Sequence, residues 1–192
     1  KIGWHYQARR DITPTPAIAV SGLVCFSGTD GIIRALDAET GELRWSAYTD
    51  GRVYYSPTFG NGLIYAGSAD GYVYAFDSGS GAEAWRFRAA PVERRIPVYG
   101  QLSSTWPVGS GVLVEDGIAY AAAGIACHDG THVYALNAGT GNIVWQNNKS
   151  SNLGGDNDLS GVSVQGHLLL HDGRIYMAGG NVVSPAMYDA AT

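Results

Sequence analysis

The chain has 192 residues, a formal net charge of −5, and two lysines beside ten arginines. A mildly acidic chain with no Lys/Arg block is a poor candidate for nucleic-acid binding. No apolar run approaches the roughly 18 residues of a membrane-spanning helix, the nearest stretch being Ile118 to Cys127.

Taken in order, the chain opens on Lys1-Ile2-Gly3-Trp4, the tail of a pattern that returns three times in full. The copies are Ala35-Leu36-Asp37-Ala38-Glu39-Thr40-Gly41 with Trp45, Ala75-Phe76-Asp77-Ser78-Gly79-Ser80-Gly81 with Trp85, and Ala135-Leu136-Asn137-Ala138-Gly139-Thr140-Gly141 with Trp145. A further copy begins at Tyr188-Asp189-Ala190-Ala191-Thr192. In each, a small and an apolar residue end one strand. The Asp or Asn oxygen and the Thr or Ser hydroxyl then cap nearby N–H groups while Gly takes a positive φ. The next strand carries a Trp four residues after that Gly, and a ring at a fixed offset most simply fills the same slot each time.

The Trp spacings are 41, 40 and 60 residues, so four units are expected, roughly 5–45, 46–85, 86–145 and 146–192. Ser21-Gly22, Asn61-Gly62, Asp116-Gly117 and Asp172-Gly173 read as hairpin turns. Asp30-Gly31, Asp70-Gly71 and Asp129-Gly130 read as the next turns along. In the second unit the strands are Ser56–Gly60, Leu63–Ser68, Tyr72–Asp77 and Ala82–Arg88. The inner strands of the four units are Pro16–Val20, Ser56–Gly60, Gly111–Glu115 and His167–Leu170. No segment keeps helical apolar spacing between its glycines. Cys25 falls where Tyr65 falls one unit later, so a buried strand thiol is expected.

The pattern Ala-x-Asp-x-x-Thr-Gly-x-x-x-Trp resembles the tryptophan-docking motif of the pyrroloquinoline-quinone-like, or quinoprotein-type, β-propeller repeat family. The departures are Ser80 for Thr, Asn137 for Asp and Met187 for Ala. The resemblance implies an all-β fold of four-stranded antiparallel blades, with the rings of Trp45, Trp85 and Trp145 wedged against the Gly81 and Gly141 turns of successive blades, and Gly41 taking the ring before them. It implies a chain covering about four blades, half of an eight-bladed ring or part of a seven-bladed one. A ring of this kind leaves no blade face bare. The remainder of the propeller or a second copy is therefore expected to close it, and the chain reads as part of a longer polypeptide or half of an assembly.

Irregularities in a repeat array collect on its binding face. Extra residues occur at Ala89 to Ser110, around Ala126-Cys127-His128-Asp129, and from Gln146 to Gly166. The segments entering the inner strands carry Arg9 and Arg10, then Arg52, Tyr54 and Tyr55, then Arg94, Arg95 and Tyr99. Guanidinium forks suit carboxylate or sulfate, and Tyr rings suit sugar faces, so this set is a candidate site for an anionic ligand. The alternative is that these arginines pair with Asp11, Asp50 and Glu93 beside them. Trp106 is the one Trp outside the docking pattern, either stacking on a planar ligand or plugging the ring. Asp156 and Asp158, at alternate positions in a glycine-rich loop, could contribute to a Ca²⁺ site or form a polar turn. Cys127, His128, Asp129 and His132 are metal-ligand types at close spacing, with the turn at Asp129 pointing its flanks apart.

The resemblance to quinone dehydrogenases implies adjacent cysteines, a stacking Trp, and acidic calcium ligands with a catalytic Asp. Here the two cysteines are 102 positions apart, so quinone and calcium are expected only as parts of a complete ring. No Gly-x-Ser-x-Gly or haem-attachment motif is present. The leading expectation is a non-catalytic, extracytoplasmic (periplasmic or secreted) propeller that binds or scaffolds a protein or an acidic polysaccharide. The alternatives are a lyase-type enzyme on acidic polysaccharides, with Tyr54, Tyr55 or Tyr99 as base, and a quinone-dependent dehydrogenase whose ligands lie elsewhere.

Overall fold

The repeated turn folds the same way each time. In the computed structural model, which describes residues 3–126, 129–151, 161–180 and 182–191, Asp37 Oδ1 accepts the N–H groups of Glu39 and Thr40, each at 2.9 Å. Asp77 Oδ1 accepts the N–H and hydroxyl of Ser80, and Asn137 Oδ1 those of Thr140. The replacements Ser80 and Asn137 are neutral because each keeps the acceptor or hydroxyl the turn uses. The Thr40 N–H, then the Glu39 N–H, hold the Asp37 carboxyl below the usual carboxylate range, and the Ser80 hydroxyl does the same for Asp77.

These turns join the last two strands of each sheet. The first sheet is β1 (Ile18–Val20), β2 (Leu23–Phe26), β3 (Ile32–Asp37) and β4 (Leu43–Tyr48), in that order and all antiparallel. The second is β5 (Thr58–Gly60), β6 (Leu63–Gly67), β7 (Tyr72–Asp77) and β8 (Glu83–Arg88). A separate hairpin follows, β9 (Arg95–Val98) and β10 (Gln101–Ser104). The third sheet is β11 (Val108–Glu115), β12 (Ile118–Ala123), β13 (His132–Asn137) and β14 (Ile143–Asn147). The fourth shows three strands among the described residues, β15 (Leu168–His171), β16 (Arg174–Met177) and β17 (Ala186–Asp189). Each full sheet carries the same register shift just before its docking turn, at Ala35/Leu36, Ala75/Phe76 and Ala135/Leu136.

The sheets pack face to face in sequence, and strand alternation builds the cores. On β6, Ile64 and Ala66 join Cys25, Ile33 and Trp45 in the core between the first and second sheets. Their neighbour Tyr65 points the other way, into a core with Ala119, Ala121 and Trp85. On β12, Tyr120 and Ala122 face onward, toward Leu168, Ile175 and Met177. Rows of alanine on β12 let adjacent sheets approach closely. Cys25 is a free, fully buried thiol that burial pushes up to about 11.

The tryptophans wedge each sheet onto the next. Trp4 Nε1 donates to Ala38 O at 3.0 Å; Trp45, Trp85 and Trp145 donate to Ser78, Ala138 and Ala190 carbonyls, each at 2.9 Å. A Cβ built on Gly41, Gly81 or Gly141 would lie 2.7, 2.6 or 2.7 Å from the indole of Trp4, Trp45 or Trp85. Those glycines have φ of 76°, 74° and 73°, so conformation and space both demand Gly. Trp45 and Trp85 are buried; deleting a buried indole costs about 3–5 kcal/mol. This is the β-propeller arrangement expected from the repeat.

Inner strands begin where prolines release them: β1 starts at Ile18, after Pro14 and Pro16, and β5 at Thr58, after Pro57. β11 instead starts three residues earlier than expected, at Val108, with a register irregularity between Val108 and Val112 around Gly111. The main difference from the expected elements is the β9–β10 hairpin, which lies inside a segment read from sequence as a loop. No helix of the described residues is long and apolar enough to cross a membrane.

Candidate functional site

The β9–β10 hairpin stands at the ends of the inner strands. Ser104 N donates to Ala69 O at 2.7 Å and Val108 N to Ser68 O at 3.0 Å, fixing its base on the second sheet. Its turn is clamped by Arg52, whose Nη2 donates to Tyr99 O at 2.9 Å and whose Nε donates to Gln101 Oε1 at 2.8 Å. Arg94 braces the base. Its guanidinium lies 4.5 Å from the Trp106 ring centroid, with Nη2 on Asp129 Oδ1 at 2.6 Å and Nε on Thr105 Oγ1 at 3.0 Å.

A cavity of about 510 Å³ opens under the hairpin. Ile96 and Val98 of β9 form one wall; Tyr54 and Tyr55, entering β5, form another. Pro107, Gly109 and Ile125 of the third unit and Val164 and Gln165 of the fourth complete it, with Ser103, Ser104, Thr105 and Asp129 supplying polar groups. Tyr55 sits edge-on to His167, centroids 4.6 Å apart. Burial pushes the Tyr55 phenol above its ordinary range, the opposite of what a phenolate base requires.

The residues singled out from sequence are thus distributed among different tasks. Tyr54 and Tyr55 line the cavity, Arg52 and Tyr99 meet at the hairpin turn, and Arg94 and Trp106 meet at its base. Arg95 pairs with Glu93 at 3.2 Å. Arg9 pairs with Asp11 at 3.3 Å on the surface, Arg10 is exposed, and neither lines the cavity. Among the described residues Asp50 forms no ion pair with Arg52; its N–H donates to Asp70 Oδ2 at 3.0 Å. Asp156, Asp158, Cys127 and His128 lie outside the described residues, among which no three His, Cys, Asp or Glu side chains converge as a metal site. His132 stacks on Tyr134, and burial lowers its pKa.

Ile96, Val98, Ser103–Thr105, Ile125, Val164 and His167 were not anticipated as site residues. The alternation of Ile96 and Val98 was the available signal, obscured because Tyr99-Gly100 lacks the Asn-Gly or Asp-Gly of a readable turn.

Trp106, the ring weighed for stacking on a planar ligand, is enclosed. Trp106 is 6 % exposed, covered by Arg94 on one side and approached by Gly124, and its indole N–H is donated to Asp129 O. Among the described residues no open indole face remains for stacking.

A family model described as outer membrane protein assembly factor BamB matches residues 1–192. The chain belongs to that family of PQQ-like repeats. It is 29 % identical over 130 residues to outer membrane protein assembly factor BamB of Burkholderia pseudomallei, covering 62 % of this chain and 30 % of that protein. It is 30 % identical over 152 residues to quinohemoprotein alcohol dehydrogenase ADH-IIG of Pseudomonas putida, covering 71 % of this chain and 21 % of that one. The structure of BamB from Moraxella catarrhalis superposes with a TM-score of 0.70 at 20 % identity, over 99 % of this chain and 53 % of that one. The BamB-family fold is therefore shared with dehydrogenases as well as with an assembly factor. The chain spans under a third of the length of these curated relatives.

Proposed function

We propose that this chain is part of a non-catalytic, extracytoplasmic binding module of the BamB family that docks a protein partner on its hairpin-bearing face. One observation carries the reading. Arg52 and Arg94, which could have formed an anion site, hold the β9–β10 hairpin instead, and that hairpin roofs a mostly apolar cavity. Arg52 and Arg94 spend their donors on Tyr99 O, Gln101, Thr105 and Asp129. An apolar recess with a few polar groups suits a partner side chain. The relatives named as outer membrane protein assembly factors support an envelope location and a protein partner.

An acidic polysaccharide and its lyase chemistry are less favoured, since Arg52 and Arg94 hold the hairpin and burial pushes the Tyr55 phenol up. A quinone-dependent oxidoreductase is less favoured because Trp106 is enclosed. The test uses the full-length protein in extracts of its own cells, resolved on native gels. Wild type is expected in a larger complex that Ile96→Glu, which puts a charge on the cavity wall, disperses without lowering the melting temperature by more than a few degrees. Steady dye reduction with pyrroloquinoline quinone and Ca²⁺, or unsaturated products from uronic-acid polymers, would overturn the proposal.

A further inference from the structure

The β9–β10 hairpin is packed on neither face. Directly opposed residues share a face of a ladder, and neighbours along a strand alternate, so the pairs Ile96–Ser103 and Pro97–Leu102 look opposite ways. The first pair, with Val98, borders the apolar cavity of about 510 Å³. On the other side lies a second recess of about 360 Å³, which Arg95 and Leu102 share with Asp30, Thr49, Asp50 and Gly51. From Arg95 to Ser104, only Ser104 at the base is buried. A two-stranded ladder without a packed face is marginal in water, so its attachments decide where it stands.

Those attachments lie at its two ends. At the base, Ser104 N and the Ser103 hydroxyl both donate to Ala69 O, at 2.7 and 3.1 Å, and Thr105 N donates to Arg94 O at 3.1 Å. At the tip, Tyr99 and Gly100 turn the chain at φ of 46° and 78°, and Arg52 holds both Tyr99 O and Gln101 Oε1. Among the described residues, Ile96, Pro97, Val98 and Leu102 make no hydrogen bond outside the hairpin's own ladder. The two ends are unequal. Arg94 at the base grips the Asp129 carboxylate and lies over the Trp106 ring, whereas Arg52 at the tip grips a carbonyl and an amide. Bonds between ionised partners are the stronger kind, so the tip lets go before the base.

We propose that β9–β10 is a hinged flap, pivoting at Ser103 and Ser104 and latched by Arg52, whose release lets the arm move into the polar recess and open the apolar cavity. The arm is about 13 Å long at about 3.3 Å per residue, so a rotation of about 30° at the base carries the tip about 7 Å. The vacant recess takes this motion without unfolding, as a hinge requires. What the motion uncovers is apolar, the walls at Tyr55, Ile125 and Val164. The flap is a property of this chain alone and goes beyond the binding-module reading.

The test measures nitroxide-to-nitroxide distances by double electron–electron resonance in the full-length protein, with the labels on keto-amino acids so that no thiol is involved. One pair joins position 99, 91 % exposed, to position 43, 59 % exposed on β4; a reference pair joins 43 to 144 on β14. Wild type should show one dominant 99–43 distance. Arg52→Ala should raise the ratio of shifted to latched populations at least about tenfold, the effect of losing two hydrogen bonds. Arg52→Lys, which cannot span both acceptors, should fall between. Arg9→Ala, which removes an exposed arginine paired with Asp11, should match wild type. An unchanged 99–43 distribution in Arg52→Ala, an equal change in Arg9→Ala, or a change shared by the 43–144 pair would overturn the proposal. No partner enters this measurement, so its failure leaves the binding module standing, and a complex that survives Ile96→Glu sinks that module without touching the flap.

Discussion

Replacing Gly81 by Ala tests the wedge between the first two sheets. Gly81 has φ of 74°, and an added Cβ would lie 2.6 Å from Trp45 Cε3 and 2.7 Å from Cδ2, where carbon contacts settle near 3.5–4.0 Å. The ring must therefore retreat by about 1 Å. It is a rigid indole, 7 % exposed, tied to Ser78 O at 2.9 Å, so retreat sacrifices that bond and part of the ring's packing. The left-handed backbone costs an alanine about 1 kcal/mol. The lost hydrogen bond costs about 1 kcal/mol and the lost packing about 1 kcal/mol more. The total is about 3 kcal/mol, or a fall in Tm of roughly 6–12 °C for a chain of this size. Gly22 is the control: its φ is 76°, yet nothing lies within 4 Å of its Cβ position. Gly22→Ala should cost only the backbone share, about 1 kcal/mol. Urea titrations of both variants, and of Gly81→Ala in a Trp45→Ala background, isolate the wedge, since without the ring Gly81→Ala should match Gly22→Ala. Equal costs in the wild-type background would refute the docking argument.

Tyr65→Phe removes a buried hydroxyl that donates to Ala138 O at 3.0 Å, but that carbonyl keeps the Trp85 Nε1 bond at 2.9 Å, so thermal unfolding should report a loss of only about 1 kcal/mol. Arg94→Ala should release the hairpin base; faster amide exchange across 95–104, with the docking turns unchanged, is the expected readout. For pH, burial pushes the Asp70 carboxyl up despite hydrogen bonds from Tyr74, Tyr72 and Asp50. Its contribution is complete below 3.8 and is lost as pH rises through the folded value. At Asp30, burial pushes up, but the Arg34 and Ile32 bonds and the Arg34 charge outweigh it. That contribution, like those of Asp37 and Asp77, is present above 3.8 and lost as pH falls below it. Denaturant titrations from pH 5 to 3 should show Asp70→Asn losing stability more steeply than wild type on acidification; parallel curves would contradict the assignment.

The docking turns and strands were legible because one physical solution is written three times: an Asp or Asn acceptor, a hydroxyl, a left-handed Gly and a Trp at fixed spacing. Asn61-Gly62 and its counterparts fixed the hairpins for the same reason. The site was less legible. Arg52, Arg94 and Tyr55 were selected as ligand-binding types, and nothing local in their sequence reveals that Arg52 spans to Gln101 or that Arg94 covers Trp106 on its way to Asp129. Those pairings depend on β9–β10 folding as a hairpin, and its Tyr99-Gly100 turn hides because Tyr is a poor predictor of positive φ. The cavity walls at Ile125 and Val164 come from separate units that only sheet packing brings together.

Hydroxyl-radical footprinting of the full-length protein, in intact cells and after purification, tests the binding face most directly. The account predicts that Tyr54, Ile96, Tyr99 and Leu102 are protected in cells and oxidised once purified, while Leu43 and Val144 on the outer strands react equally in both. Protection confined to the outer strands, or no difference at the hairpin, would contradict it.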